Sequence, residues 1–433
     1  MTSDTIAKKD GAPANFRWLP PGLRPPVPMQ WRQEKIFLLV GVAALFAGFD
    51  MNVFGFAIPQ IQASLNIPED EIGLTVSLFR LATLVALVIA ANADLVGRRR
   101  LLLVTIFGQA IFTLATAFAP SYAPFVWAQF LTRVFGYAEE MLCYVVIAEE
   151  MAAGARGWAN GTLSALDYLG AGLASLVFAA ITILPYGWRS MYVIGAVPLF
   201  LVAWLRRNLP ETQRFAAREK IAILQSRWAR TARILRELAT QYPGRVLLIL
   251  IAASAFGFAM GPASVLQSKY MQSVYHYQAW QTSLVIIPGG LIGLALAIRT
   301  GRLSDRLGRR PVTAAIAALG GIAFFLFYGG VPGWAMPVIW IAAFFGFFSG
   351  EALIAGFALE IVPTDYRATV SGLRYVAEIG AGGISLFLEG RLYDHFQAHG
   401  PAIQLFLCAI PITVIAVLFL PEPAGKTLEE MAL

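Results

Sequence analysis

Apolar stretches of about 20 residues recur along nearly the whole chain, and each is long enough to cross the hydrocarbon core of a bilayer. Twelve can be marked out in the 433 residues: 36–59, 72–93, 101–119, 123–148, 159–184, 190–205, 246–271, 280–299, 311–329, 333–359, 367–388 and 401–420. Only helices and closed barrels satisfy backbone polar groups in lipid, and runs so long and non-alternating exclude barrel strands. The expected fold class is therefore all-α integral membrane, with twelve transmembrane helices. Composition agrees: 58% of residues are hydrophobic and 14% charged, where soluble domains carry roughly 25% charged residues. A soluble enzyme is excluded as the starting assumption.

The net charge of +7 does not point to nucleic acid, because the basic residues are scattered over the short connections. They are also asymmetric. Lys8, Lys9, Arg17, Arg24, Arg32 and Lys35, then Arg98 to Arg100, Arg156, ten basic residues from Arg206 to Arg245, four from Arg302 to Arg310, Arg367 and Lys426 all fall on one side, against Arg189 and Arg391 on the other. The positive-inside rule then puts both termini in the cytoplasm of a cell membrane, the inner membrane in a Gram-negative source. Residues 1–35, with Pro20, Pro21, Pro25, Pro26 and Pro28, are expected to be a flexible tail rather than a signal peptide. Residues 209–245 interleave arginines with Ile221, Leu224, Trp228, Ile234 and Leu238, which predicts an amphipathic linker on the membrane surface. The expected bundles are 36–208 and 246–421, followed by a tail from 422 to 433. Cys143 and Cys408 each lie inside an apolar stretch, so neither a disulfide framework nor a metal site is expected.

Comparison of the halves reveals a repeat. Asp94 and Asp305, Gly97 and Gly308, Arg98 and Arg309, and Arg99 and Arg310 are all 211 residues apart, and so are Glu140 and Glu351, Glu149 and Glu360, Arg156 and Arg367, Gly161 and Gly372, and Asp167 and Glu378. Six helices separate equivalent positions, so the halves enter the membrane in the same direction. The expectation is a parallel repeat of two six-helix bundles.

At these residues the chain resembles the major facilitator superfamily. The stretch from Gly301 through Arg302, Ser304, Asp305 and Gly308 to Arg309 and Arg310 is similar to that family's signature between helices eight and nine, and Asp94-Leu95-Val96-Gly97-Arg98-Arg99-Arg100 is similar to its copy between helices two and three. The first copy departs at Ala90, where the family usually has glycine. Further stretches, Glu149 to Gly157, Gly187-Trp188-Arg189, Leu209 to Arg214, Glu360 to Arg367 and Pro421 to Glu430, resemble the sugar-porter and the metabolite or aromatic-acid proton-symporter branches. The resemblance implies alternating access, helices three, six, nine and twelve at the periphery, and signature residues that gate rather than bind cargo. On that basis the gating candidates are Asp94, Gly97, Arg98, Arg99, Glu140, Gly301, Asp305, Gly308, Arg309, Arg310 and Glu351.

Ionisable residues inside the membrane are functional candidates by default, because a central charge costs roughly 2.5–3.5 kcal/mol or more. Asp50 lies deep in helix one, where the matching segment of helix seven has Ala259, and it is a candidate to take up and release a proton; a structural pairing with a neighbouring arginine is the alternative. Arg80 and Arg133 can each grip a carboxylate through two hydrogen bonds or hold a static pair, Arg133 with Glu139 or Asp50. Arg374 and Glu378 are one helical turn apart and can pair with each other or act as a switch that frees the arginine for an anion. With Asp167 and Tyr375 these complete the candidate substrate or proton path. His276, His395 and His399 fall in outer connections and carry no expected role.

The expected function is secondary active transport by alternating access, with uptake of a small organic acid together with a proton. No cofactor is expected, no nucleic acid partner, and a monomer is the expected working form in the lipid bilayer. A proton-driven exporter of drugs or metabolites, a neutral sugar or polyol symporter, and a non-transporting membrane sensor are the alternatives.

Overall fold

The computed structural model describes residue 16 and residues 24–207, 233–363 and 366–423. Each of the twelve apolar stretches forms helix: α1 (Trp31–Leu65), α2 (Glu71–Ala91), α3 (Arg98–Ala117), α4 (Tyr122–Glu150), α5 (Arg156–Ala179), α6 (Trp188–Arg206), α7 (Pro243–Ser273), α8 (Ala279–Leu307), α9 (Arg309–Tyr328), α10 (Met336–Glu360), α11 (Arg367–Phe396) and α12 (His399–Leu407, resumed as Ile410–Phe419). Ten of these spans are long and apolar enough to cross a membrane by length and composition alone. The two outside that set are α4, which holds Arg133, Glu139 and Glu140, and α11, which holds Arg374, Glu378 and Glu389. Charges at depth need partners, so these are the helices whose surroundings must supply them.

Proline accounts for the local breaks. In α1 the backbone leaves helical angles at Ala57 (φ −100°, ψ 15°), just before Pro59, because the proline ring crowds the carbonyl of the preceding turn and offers no N–H. The interruption of α12 at Cys408 and Ala409 precedes Pro411, which sits in the first turn of the resumed piece where a missing N–H costs nothing.

The chain divides into two compact units, Met1–Ile61 with Ala82–Lys220, and Gln62–Leu81 with Ile221–Leu433. The first part of α2, through Leu81, thus belongs with the second unit. In the first unit α3 packs on α4 and α6; in the second, α7 packs on α11 and α9 on α10. A buried apolar cluster that includes Phe37, Leu142, Val146, Ile147 and Leu163 joins α1, α4 and α5. Phe16, part of the stretch expected as a flexible tail, is buried in that cluster and meets the rings of Phe37 and Trp158 at 6.3 and 5.5 Å.

The repeat seen in the sequence recurs in backbone geometry. Gly97 and Gly308 have nearly the same conformation (φ 103°, ψ 137° and φ 103°, ψ 146°), one that L-residues rarely adopt. Inside the bundles, a methyl group on Gly48 would overlap the Asp167 carbonyl oxygen, and one on Gly257 would overlap the Glu378 carbonyl oxygen. Without side chains at these two points, α1 meets α5 and α7 meets α11 backbone to backbone, the close packing on which helix association in lipid depends.

The surface of α3 is divided. Val104, Phe107 and Ile111 face outward, while Thr105, Gln109 and Thr113 are buried. Of the basic linker, residues 209–232 lie outside the described residues; residues 233–241 are helical, with Leu238 buried. The tail beyond residue 423 also lies outside them.

Candidate functional site

The first unit holds two separate buried polar groups. Asp50 is 1% exposed. Its Oδ2 accepts hydrogen bonds from Thr113 Oγ1 (3.0 Å) and Gln109 Nε2 (3.4 Å). Its Oδ1 has no partner among the described residues, and the carboxylate makes no ion pair there. Arg133 does not bridge it directly: the guanidinium donates to the Met51 carbonyl (3.4 Å) and contacts its sulfur (3.2 Å), although its charge bears on Asp50. Both donors to Asp50 come from α3, a helix expected at the lipid-facing periphery. The stripe Thr105, Gln109, Thr113, Thr116 at near four-residue spacing was the readable signal for this inward face.

Glu139 has a different environment. It is ion-paired with Arg206 at the end of α6, accepts the Thr105 hydroxyl (2.5 Å), and lies beside Cys143 Sγ (3.3 Å). Arg206 also donates to the Leu39 carbonyl (3.1 Å) and is 1% exposed. By its position Arg206 is the first of the ten basic residues expected on the cytoplasmic side, just past the apolar run 190–205. The structure places it inside, because an arginine one step past an apolar run can still turn back to meet a buried carboxylate. Asp167 is half-buried on α5, with its side chain and carbonyl against Gly48. Glu140 is half-buried on α4.

In the second unit four charges share one neighbourhood. Arg374 and Glu378 form a buried ion pair one turn apart on α11. The charges of Arg80 and Arg374 both act on Glu378 and on Glu351. Arg80 donates to the Gly261 carbonyl (3.4 Å), and its guanidinium fills the space over Gly382 that a methyl group would need. Glu351, expected with Glu140 among the gating residues, lies in the field of this arginine pair. Tyr375 is half-buried next to Arg374 in sequence.

The signature connections build a third feature, once in each unit. Arg98 pairs with Glu149 (2.8 Å) and also donates to the Ala93 carbonyl (3.4 Å); Arg99 donates to the Arg207 carbonyl (2.5 Å). Arg309 pairs with Glu360 (2.8 Å) and Asp305 (2.9 Å). The Arg309 and Arg310 backbone N–H groups donate to Glu422 (2.7 and 3.0 Å), a carboxylate placed at the positive end of α9. Gly301 accepts the Ser304 hydroxyl (2.7 Å) within its own turn. The Asp94 side chain lies outside the described residues. Among those residues no cluster of three or more His, Cys, Asp or Glu could hold a metal ion. Lys269 in α7 and Glu389 in α11, both buried, were passed over in the sequence; a lysine inside the stretch 246–271 was itself the signal.

Comparison with known proteins gives one consistent answer. The model of the Major Facilitator Superfamily matches residues 40–385. The chain is 25% identical to a probable 4-methylmuconolactone transporter of Cupriavidus pinatubonensis (strain JMP 134 / LMG 1197), over 92% of this chain and 93% of that protein. It is 26% identical to a citrate-proton symporter of Salmonella typhi, over 76% and 80% of the two chains. Among solved structures, the inward-open xylose transporter from E. coli superposes with a TM-score of 0.73 at 19% identity, over 92% of this chain and 99% of that one.

Proposed function

The chain belongs to the major facilitator superfamily, a family of membrane transporters, and from that premise we propose that it takes up a small organic acid together with a proton by alternating access. The observation that carries this reading is a contrast between two buried carboxylates. Glu378 is matched by Arg374, whereas Asp50 has polar donors but no ion pair among the described residues.

A buried carboxylate with no cation bonded to it is costly as an anion and is satisfied by a proton. Asp50 is therefore the proton carrier. Arg374, held by a carboxylate on its own helix, is the group that exchanges this internal partner for the carboxylate of the substrate, since its planar fork fits either one. Within the second unit Arg80 and Tyr375 are the further candidates to contact the acid, and within the first unit Arg133 and Asp167 are the further candidates for proton transfer, with Glu139 and Arg206 as a supporting pair. The signature residues from Asp94 to Arg99 and from Gly301 to Arg310, with Glu140 and Glu351, act as gates. The citrate-proton symport named for one relative supports both the acid and the coupling. The basic residues of the connections support cytoplasmic termini in a cell membrane, and a monomer suffices as the working unit.

Proteoliposome uptake of citrate and benzoate under an imposed inward proton gradient tests the reading. Wild type is expected to accumulate at least one of these acids faster with the gradient than without it. Asp50→Asn should lose the stimulation while still exchanging internal for external acid. Full gradient response in that variant would remove Asp50 from the proton path.

A further inference from the structure

Where α7 ends and α12 begins, four titratable side chains of the second unit form an unbroken chain of contacts from Lys269 through Glu69 and His399 to Glu389, apart from the path above. Lys269 of α7 donates to Gln62 Oε1 (2.8 Å) and to Glu69 in the connection between α1 and α2. His399, the first residue of α12, faces Glu69 through Nε2 (3.1 Å) and Glu389 of α11 through Nδ1 (2.5 Å), and its ring lies against Tyr393 with centroids 4.6 Å apart.

Exposure across this group is uneven. The Lys269 and His399 side chains are 4% and 11% exposed and Glu389 is fully buried, but Glu69 is 42% exposed. Glu389 Oε2 has no partner among the described residues. Two buried donors are thus covered by one surface carboxylate, which reaches in from a connection and not from a helix.

Both nitrogens of His399 face carboxylate oxygens, which a protonated ring satisfies with two N–H donors. Two cations then balance two carboxylates. If Glu69 swings away, one positive charge is left without a partner, a state that any small carboxylate relieves. Protonation does not release Glu69 at working pH. Burial pushes its carboxyl up, but hydrogen bonds from His399 and Lys269, the Lys269 charge and a further bond with Gln62 together outweigh it and hold the group at about 2.

We propose that Lys269 and His399 form a capture site for small carboxylates, and that Glu69 fills it as a built-in stand-in when no such anion is bound. The inference rests on the carboxylate uptake proposed above and names where the anion first docks. In the topology proposed there this is the outer end, where uptake begins. An arriving carboxylate takes over the two bonds now made to Glu69 Oε2, frees the α1–α2 connection, and leaves Glu389 in place beneath.

The test is chemical rescue. Glu69→Ala removes a methylene and a carboxylate, about the size of acetate. The full-length purified variant is unfolded thermally in detergent against increasing sodium acetate, with chloride holding ionic strength constant. A saturable rise of about 2 °C or more in the midpoint is expected for Glu69→Ala. Wild type, Glu69→Gln, in which the space stays filled, and the double variant Glu69→Ala with Lys269→Met should match the chloride control. An equal response in wild type, or one that survives loss of Lys269, overturns the proposal. Should Glu69→Ala not fold, Glu69→Ser offers the same space. Failure of both to fold also overturns it, since a site that trades one carboxylate for another must survive loss of the first. Uptake is scored separately: acetate rescue without acid uptake removes the proposed function but keeps the anion site, and uptake without rescue removes the capture site alone.

Discussion

Arg98 reaches Glu149 across 2.8 Å, and 211 residues further on Arg309 reaches Glu360 across the same 2.8 Å. In each unit the pair ties the signature connection to the last turn of a helix, α4 in the first and α10 in the second. Each arginine follows a glycine in the same unusual conformation. The repeat is thus a repeated mechanical joint as well as a repeated sequence.

Breaking one joint should be costly and partly reversible. Glu149→Ala leaves the Arg98 guanidinium, whose side chain is 4% exposed, without its carboxylate, and the expected loss of stability is about 1–3 kcal/mol. The charge-reversed double variant Arg98→Glu with Glu149→Arg should recover part of it. Thermal unfolding of both variants in detergent measures the coupling; equal losses in the single and double variants would show that the pair itself contributes little.

Gly308→Ala should destabilise by about 1–3 kcal/mol, because φ of 103° is available to glycine and strained for alanine. Its repeat partner Gly97→Ala should behave alike, while Gly301→Ala, in open helical space, should be near neutral. Unfolding midpoints of the three variants check the order.

Arg206 and Glu139 make a structural pair if their loss is non-additive. Removing one partner leaves a buried charge and should cost roughly 3–5 kcal/mol, whereas Arg206→Met with Glu139→Leu should restore most of the stability. Acid uptake should return with it. A stable double variant that carries no acid would put Glu139 back on the path.

The Glu69 contact has a defined pH signature. Its folded carboxyl is held at about 2, below the unfolded value of about 4.3. Its stabilising effect is therefore fully present above about 4.3 and is lost as pH falls towards about 2. The difference in unfolding midpoint between wild type and Glu69→Gln should shrink as pH falls below about 5. A difference unchanged between pH 5 and pH 3 would show that the carboxylate is not held.

The fold was legible because lipid leaves few choices: twelve apolar runs could only be helices, and the register of Asp94 with Asp305 and Asp167 with Glu378 disclosed the two halves. The Arg374–Glu378 pair was legible for a local reason, as one helical turn separates its members. Contacts between distant helices were not. Glu139 was visible as a charge, but its partner Arg206 lay just past the end of an apolar run and resembled a loop residue. Gln109 and Thr113 went unweighed because neutral polar groups cost little in a hydropathy reading, although they are the donors to Asp50. Glu69, Lys269, Glu389 and His399 come from four separate segments, and nothing in the spacing of any one of them points to the others.

Proton movement itself tests the central claim most directly. In weakly buffered suspensions of proteoliposomes containing the wild-type protein, adding citrate or benzoate outside should make the external medium more alkaline as acid and proton enter together, and Asp50→Asn should abolish the change. External acidification on addition of acid, or uptake with no pH change at all, would contradict proton-coupled uptake.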